Sequence, residues 1–503
     1  MLTIQEKAAA LVMPGYRFGT DDPARAERLV DMGVGGFCLY FGTPEEVAGL
    51  TRRLQQRARR PLLFSADYED GSAQHVTGGT ALPSNLGIAA SGDPELAFEK
   101  ARITAAEAWA LGVRWVLAPV LDLATEPANP IVNTRAFGSE PETAARFALA
   151  YCRGLKEGRT LSCMKHFPGH GATTTDSHLD LPVLKRTRAE LLAEEVKPFM
   201  ALKDAADTAM MAHLSIPSLG DERPSSLSPK GIALLRETVG FNKLITTDAL
   251  SMQAIADRFA DDAACVAALT AGADVLLVPT DPVKAVYGFL QRVEQEPALA
   301  PLVEAAFGRL ERACAACGLD ADRGLAPAEA VGEVGSAAHR AAAAALARAC
   351  LTWARVDLHD LPLPRKVRYL EPDADKAEDW QGTAFVDELR ANGVTVEPYA
   401  PAGEGRLVVG CFLSPRAYTG RIRFSEEEMG PAQKALSADP RSVVVSFGSP
   451  FVFDDLHGWG AGLCAFSPYE ASQRAAARGL LSPQDVKGRM PVPLKSAAMT
   501  RRS

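Results

Sequence analysis

Ser162-Cys-Met-Lys-His-Phe167 is an apolar run that closes on Lys165 and His166. Pro168-Gly-His-Gly-Ala-Thr-Thr-Thr-Asp-Ser-His178 follows it as a glycine- and threonine-rich loop. A short continuous apolar run reads as a strand buried on both faces. Runs of the same kind occur at Leu11–Met13, Phe37–Phe41, Leu62–Asp67, Trp115–Asp122, Thr208–His213, Leu244–Asp248 and Val275–Pro279. Several also end in chemistry, at Asp67, Asp122, His213 and Asp248. Between them lie PARAERLVDMG, TPEEVAGLTRRLQQRA and DPELAFEKARITAAEAWALG, with apolar residues three and four apart and Asp or Thr at their openings. Strand–helix alternation predicts an α/β fold with a parallel sheet. Eight such repeats in roughly 310 residues fit a (β/α)8 TIM-type barrel, with an open doubly wound sheet as the rival. A barrel gathers strand C-termini around one mouth, whereas an open sheet spreads them along an edge, so the polar strand ends favour the barrel.

Downstream, Gly318 to Ser336 lacks apolar periodicity and reads as a linker. An alanine-rich helix over Ala337–Ala349 follows, then strands at Val367–Leu370, Leu407–Cys411, Ser442–Phe447 and Leu463–Phe466. The expected organisation is a catalytic barrel over 1–317, a linker over 318–336 and a smaller, sandwich-like α/β domain over 337–503.

Composition limits the partners. Lys and Arg number 54 against 62 Asp and Glu, a net charge of −8 in 503 residues that are 47% hydrophobic. A disordered chain does not have that balance, and an acidic excess opposes nucleic-acid binding through bulk charge. The opening MLTIQEKAAALVMPGYRF lacks a basic segment followed by an apolar one, so no signal peptide is expected. No apolar stretch of about 18 residues is present to span a bilayer. Nine cysteines without framework spacing suit reduced thiols. The lone C-x-x-C, Cys314 with Cys317, lacks a second pair for zinc. A cytoplasmic protein is expected, without metal, cofactor, nucleic-acid or membrane partner; oligomeric state is left open.

Three of the eight histidines fall between His166 and His178. His166 and His170 have the spacing of two zinc ligands on a helix, but Pro168, Gly169 and Gly171 oppose a helix, and Phe167 stands where a zincin needs Glu. In an extended loop Asp176 and His178 point the same way, so the carboxylate can bond the imidazole and prepare it for proton transfer. A histidine capping its own loop is the plainer alternative. Asp248 closes an apolar strand as a nucleophile, a base or a helix N-cap. Asp67, with Glu69 and Asp70 nearby, is a second cap candidate. Arg135 in a turn-rich loop suits an ion pair, and a buried Lys165 needs a partner to remain charged. Together these groups suit a polyhydroxylated ligand: carboxylates accept from hydroxyls, and Lys and Arg donate.

KHFPGHGATTTDSHLDLPVL resembles the signature loop of bacterial glycoside hydrolase family 3 β-N-acetylglucosaminidases. LTIQEKAAALVMPG, SADYEDG, APVLDL, NPIVNTRAFGSEP, MMAHLSIPSLGDERPSSLS and GFNKLITTDALSM follow the family's order, and VVVSFGSPFVF extends the likeness more weakly. The resemblance implies Asp248 as nucleophile, His178 as acid/base and Asp176 as its partner. It implies Asp67, Arg135, Lys165 and His166 as ligands of the non-reducing terminal sugar's hydroxyls. The implied activity is exo-acting, retaining removal of terminal N-acetylglucosamine, with a GlcNAc-terminated oligosaccharide or muropeptide as small-molecule partner. A phosphorylase or β-glucosidase of the same family is the alternative, since a neutral imidazole tolerates an anionic acceptor. Rivals from other classes are a metal-dependent amidohydrolase and an inactive sugar-binding protein. Asp70 and His75 depart from the usual Gly and Arg, Lys243 from Gly, and Ala249 from a second Asp; Asp70 is a change that can alter the pocket beside the sugar, and its effect on specificity is left open.

Overall fold

The eight apolar runs supply eight of the nine short strands of the first 280 residues, Gly15–Arg17 being the addition, in the computed structural model, which describes residues 2–356, 361–415, 420 and 422–496. These are β1 (Val12–Met13), β2 (Gly15–Arg17), β3 (Gly36–Tyr40), β4 (Leu63–Ala66), β5 (Trp115–Val116), β6 (Cys163–Phe167), β7 (Thr208–Met211), β8 (Leu244–Thr247) and β9 (Leu276–Leu277). β2 to β5 pair in chain order, β6 to β8 do likewise, and β1 pairs with β9, every pair parallel. Parallel bridges Trp115–Leu161 and Val120–Lys165 link the β5 and β6 segments, and Thr246–Val275 links β8 to the residue before β9. The expected strand Trp115–Asp122 is cut to two residues. Proline in place of an N–H donor at 119 interrupts its ladder.

Every residue of β4, β6, β7 and β8 is buried, which is why these strands read as continuous apolar runs without alternation. The intervening helices open as their sequences dictate. Asp22 accepts from the Ala24 N–H ahead of Pro23–Asp31, and Thr43 forms a capping box with Glu46 ahead of Pro44–Arg57. Cys314 and Cys317 sit at the C-terminal end of the helix Ala300–Ala316.

The chain clusters into two compact units. One comprises Met1–Thr80, Ala97–Leu123 and Pro141–Ser336; the other comprises Ala81–Leu96, Ala124–Glu140 and Ala337–Ser503. The stretch expected as a linker is held to the first unit: Arg52 donates to Ala326 O at 2.7 Å and the Gly335 N–H donates to Glu107 Oε1 at 2.9 Å.

The second unit contains a six-stranded sheet built from β10 (Thr352–Arg355), β11 (Lys366–Leu370), β12 (Thr395–Pro398), β13 (Arg406–Cys411), β14 (Val443–Ser446) and β15 (Ala461–Cys464), in the order β10-β15-β14-β13-β11-β12. Only the β10–β15 pair is antiparallel. β10 and β12, the two edges, are the strands the sequence did not reveal, because half-exposed edge residues carry little apolar signal. Alternate side chains feed two cores: Val443 and Val445 join Phe385 and Leu389 on one face, while Val444 and Val409 join Phe453 on the other. Leu86, Ala90, Val132 and Ala136 belong to that second core. Its apolar contacts explain why two segments read as part of the first domain cluster with the C-terminal sheet. Asp454 accepts the backbone N–H groups of Lys495 and Ser496 and so holds the chain's later segment. Among the described residues, no helix is long and apolar enough to cross a membrane.

Candidate active site

The polar residues of the first unit collect where its parallel strands end. Asp67 follows β4, Lys165 and His166 lie in β6, and Asp248 follows β8. Lys165 is buried, and its ammonium is shared by Asp67 Oδ1 at 2.6 Å and Glu69 Oε1 at 2.7 Å. Two carboxylates around one buried cation offset its desolvation. Their exposures differ: the Glu69 side chain is 4% accessible and that of Asp67 26%, so Asp67 is the one that can meet a ligand.

His166 is fixed by Asp122, which the sequence placed at a strand end without a role. Asp122 Oδ2 lies 2.6 Å from His166 Nδ1, and its Oδ1 accepts the backbone N–H of His170 at 2.6 Å. Burial pushes the Asp122 carboxyl up, but the neighbouring imidazoles and these hydrogen bonds outweigh it and keep the group below its ordinary value. This contact engages Nδ1 and sets the orientation of the His166 ring.

The loop after β6 is glycine-bound by close approach. A Cβ on Gly171 would lie 2.1 Å from Leu123 O, and Gly169 adopts φ +128° against the Glu195 side chain. His170 is buried and bonds Thr173 Oγ1 through Nδ1 at 2.7 Å, and burial lowers its pKa to about 4. It is therefore a neutral part of the loop's support. Asp176 is buried, and one of its oxygens, Oδ1, receives both the backbone N–H and Nδ1 of His178, at 2.9 and 2.8 Å. The His178 side chain is 21% accessible. The loop is tied down at Asp180 by Arg258 (2.8 Å) and at its end by Arg186, which pairs with Glu194 and Glu195.

Asp248 is partly exposed and does not cap a helix. Its Oδ1 accepts the Ala249 N–H at 2.8 Å, and the next helix starts only at Gln253, after Met252. Burial opposes its ionisation, but the imidazoles of His166, His213 and His178 and the Ala249 N–H together hold its carboxyl below the usual range. The carboxylate therefore stands within electrostatic reach of the histidine on the β6 loop. His213, buried at the end of β7, bonds Ala249 O through Nε2 at 3.0 Å and Ser226 Oγ through Nδ1 at 2.7 Å. Burial lowers its pKa, and as a neutral ring it fixes the turn that carries Asp248.

The structure thus brings Asp67, Lys165, His166, Asp176, His178 and Asp248 into one unit. Arg135 lies in the other, where its guanidinium donates to Ile131 O at 3.1 Å. Asp70, the departure read as able to alter the sugar pocket, sends its carboxylate to the buried Lys100 at 2.8 Å. The burial of Lys100 on the helix Glu95–Ala110 demands a counter-charge, and Asp70 supplies it. Sequence reasoning passed over Glu69, Asp122 and His213 as site members. Their position at strand ends was the available signal.

Residues 3–313 match the glycosyl hydrolase family 3 N terminal domain. A β-hexosaminidase of Xylella fastidiosa (strain 9a5c) is 37% identical over 263 residues, covering 50% of this chain and 77% of the relative. A β-N-acetylglucosaminidase/β-glucosidase of Cellulomonas fimi is 28% identical over 467 residues, 84% of this chain and 82% of the relative. Among solved structures, a glycoside hydrolase family 3 β-N-acetylglucosaminidase from Paenibacillus sp. str. FPU-7 superposes with a TM-score of 0.84 at 26% identity, over 98% of this chain and 99% of that one.

Proposed function

The chain belongs to glycosyl hydrolase family 3 and is a glycoside hydrolase, and from that premise we propose an exo-acting, retaining β-N-acetylglucosaminidase. Its first unit is read as a (β/α)8 barrel. Parallel pairs and bridges run from β2 through β8 to Val275, and β9 pairs with β1, which directly precedes β2 in the chain; this succession supports the reading.

The observation that supports the reaction is a partly exposed carboxylate at the end of β8, Asp248, together with an imidazole on the β6 loop, His178, that a buried Asp176 orients. In this reading Asp67, Lys165 and His166 hold the terminal sugar's hydroxyls, and Arg135 is assigned to the sugar on its motif alone. The Asp248 carboxylate attacks the anomeric carbon while His178 delivers a proton to the departing oxygen. His178 then takes a proton from water, which attacks the anomeric carbon from the face the aglycone left and displaces Asp248 on the opposite face, so two inversions give retention. Asp176 holds the Nδ1 proton in place and leaves Nε2 for both transfers. Glucosides are a second substrate class, favoured by the double activity in the Cellulomonas fimi relative's name. The natural substrates proposed are muropeptide or chito-oligosaccharide fragments in the cytoplasm.

The test is turnover of 4-nitrophenyl N-acetyl-β-D-glucosaminide with and without phosphate, following the product anomer by NMR. The β-anomer of free N-acetylglucosamine is expected first, and a sugar phosphate would move the enzyme to the phosphorylases. His178→Ala should slow release of the glycosyl-enzyme more than its formation, because nitrophenolate leaves with little acid help. Equal slowing of both steps contradicts the role given to His178.

A further inference from the structure

Phe41 is a large aromatic that the chain displays at some cost. It follows β3, is 50% exposed, and takes φ +68°, a left-handed conformation rare for a bulky side chain. Gly42 follows at φ +95°, and its carbonyl accepts the Thr77 N–H at 2.9 Å. Two successive left-handed residues make a sharp turn that the 71–80 segment holds closed. Strain of this kind persists where surrounding structure enforces it, and it collects at ligand clamps.

The neighbours of Phe41 lead to the sugar cluster. Cys38 pairs with Ser65 across β3 and β4, and continuing that register sets Tyr40 across from Asp67, with Phe41 the next residue along. The Phe41 ring meets the His75 ring edge-on at 5.6 Å, and His75 meets Tyr40 at 5.4 Å. His75 Nδ1 is buried without a hydrogen-bond partner among the described residues, so the ring serves there as packing. Burial keeps it below its ordinary pKa, against the pull of Asp67 and Glu69, and hence neutral. A neutral aromatic pair therefore stands beside the Asp67–Lys165–Glu69 ion cluster. Sugar sites pair such surfaces: polar groups take the hydroxyls, and an aromatic ring takes the C–H face of the pyranose.

We propose that Phe41, supported by His75, is a specificity-determining residue whose ring packs against the C–H face of the terminal sugar held by Asp67 and Lys165. The proposal rests on the glycosidase reading above and adds the apolar wall of its sugar subsite. The probes are 4-nitrophenyl N-acetyl-β-D-glucosaminide and, for the sugar without a leaving group, free N-acetylglucosamine as competitive inhibitor. Phe41→Gly removes the ring and accommodates the left-handed backbone. It is expected to raise KM and the inhibition constant of free N-acetylglucosamine together, by about fivefold or more, with kcat within about threefold and Tm not lowered. Phe41→Tyr keeps the ring and should keep both constants near wild type. A rise in KM without a rise in the free-sugar constant places the ring on the leaving group and overturns the proposal. Unchanged constants overturn it as well, as does a fall in Tm with unchanged constants, which marks a purely structural residue. If wild type neither turns over nitrophenyl glycosides nor binds N-acetylglucosamine, the glycosidase reading fails, and the proposal falls with it.

Discussion

The two ends of the first unit's parallel strands use the same side chains to opposite effect. Ahead of β9, Asp274 is fully buried and accepts from Arg236 (2.7 Å), Arg309 (2.8 Å) and the Ile245 N–H (2.8 Å). Ahead of β7, Asp207 accepts the backbone N–H and hydroxyl of Ser162. Fixed protein donors occupy these carboxylates, which clamp neighbouring strands. At the other end, Asp67 keeps a quarter of its side chain accessible while pairing with Lys165, and Asp248 is partly exposed with one hydrogen bond to its own turn. Buried charge is expensive at both ends. The difference lies in whether the protein alone completes its coordination or leaves room for a ligand.

The sharpest way to break this contrast is to remove one carboxylate from each end. Asp248→Asn should cut kcat/KM by about 10^4-fold while leaving Tm within a few degrees. Full retention of rate removes Asp248 as nucleophile, and a collapse of Tm makes it structural. Asp274→Ala should do the reverse. Losing the buried carboxylate that pairs with two half-buried guanidiniums costs about 3 kcal/mol in urea unfolding, with kcat per folded molecule unchanged. A loss of kcat at full folding would mean that the two ends are coupled.

Acid sharpens the picture of the loop that carries His178. His170 is held at a pKa of about 4, so between its ordinary 6.5 and 4 the unfolded chain binds a proton that the folded chain refuses. Stability therefore falls as pH drops through that window, by about 3 kcal/mol for this group. His213 shifts in the same direction. Unfolding free energies measured from pH 7 to 4 should show this slope, and His170→Asn should flatten it; an unchanged slope contradicts the buried neutral ring. The smallest effect belongs to Arg258→Ala. Its pair with Asp180 is substantially exposed at 39% and 65%, so less than about 1 kcal/mol of stability is at stake. That difference should vanish in high salt.

Much of this was legible beforehand because strand burial and loop chemistry leave local traces. Apolar runs ending at Asp67, Lys165, His166, His213 and Asp248 marked the strand ends, since a strand covered on both faces must be apolar until it emerges. Asp176 and His178 were readable as a pair because two residues apart in extended chain is a local relation. Asp122 was visible only as an acid at a strand end, and Glu69 and Asp70 only as acids near Asp67. Which partner each would meet depends on segments dozens of residues away: His166 for Asp122, Lys165 for Glu69 and Lys100 for Asp70. The edge strands β10 and β12 were missed for a related reason, as one-sided contact leaves weak patterning.

The amino-acid sequence by itself determined the alternation of strand and helix, the family, and the loop carrying the Asp176–His178 pair, since each rests on neighbours in the chain. Tertiary structure alone decided that Asp70 serves Lys100, that Leu86 and Val132 join the core of the C-terminal sheet, and that Phe41 stands exposed against His75. Partner choice among buried charges and apolar faces is settled by packing between distant segments, where desolvation penalises every group left without its complement.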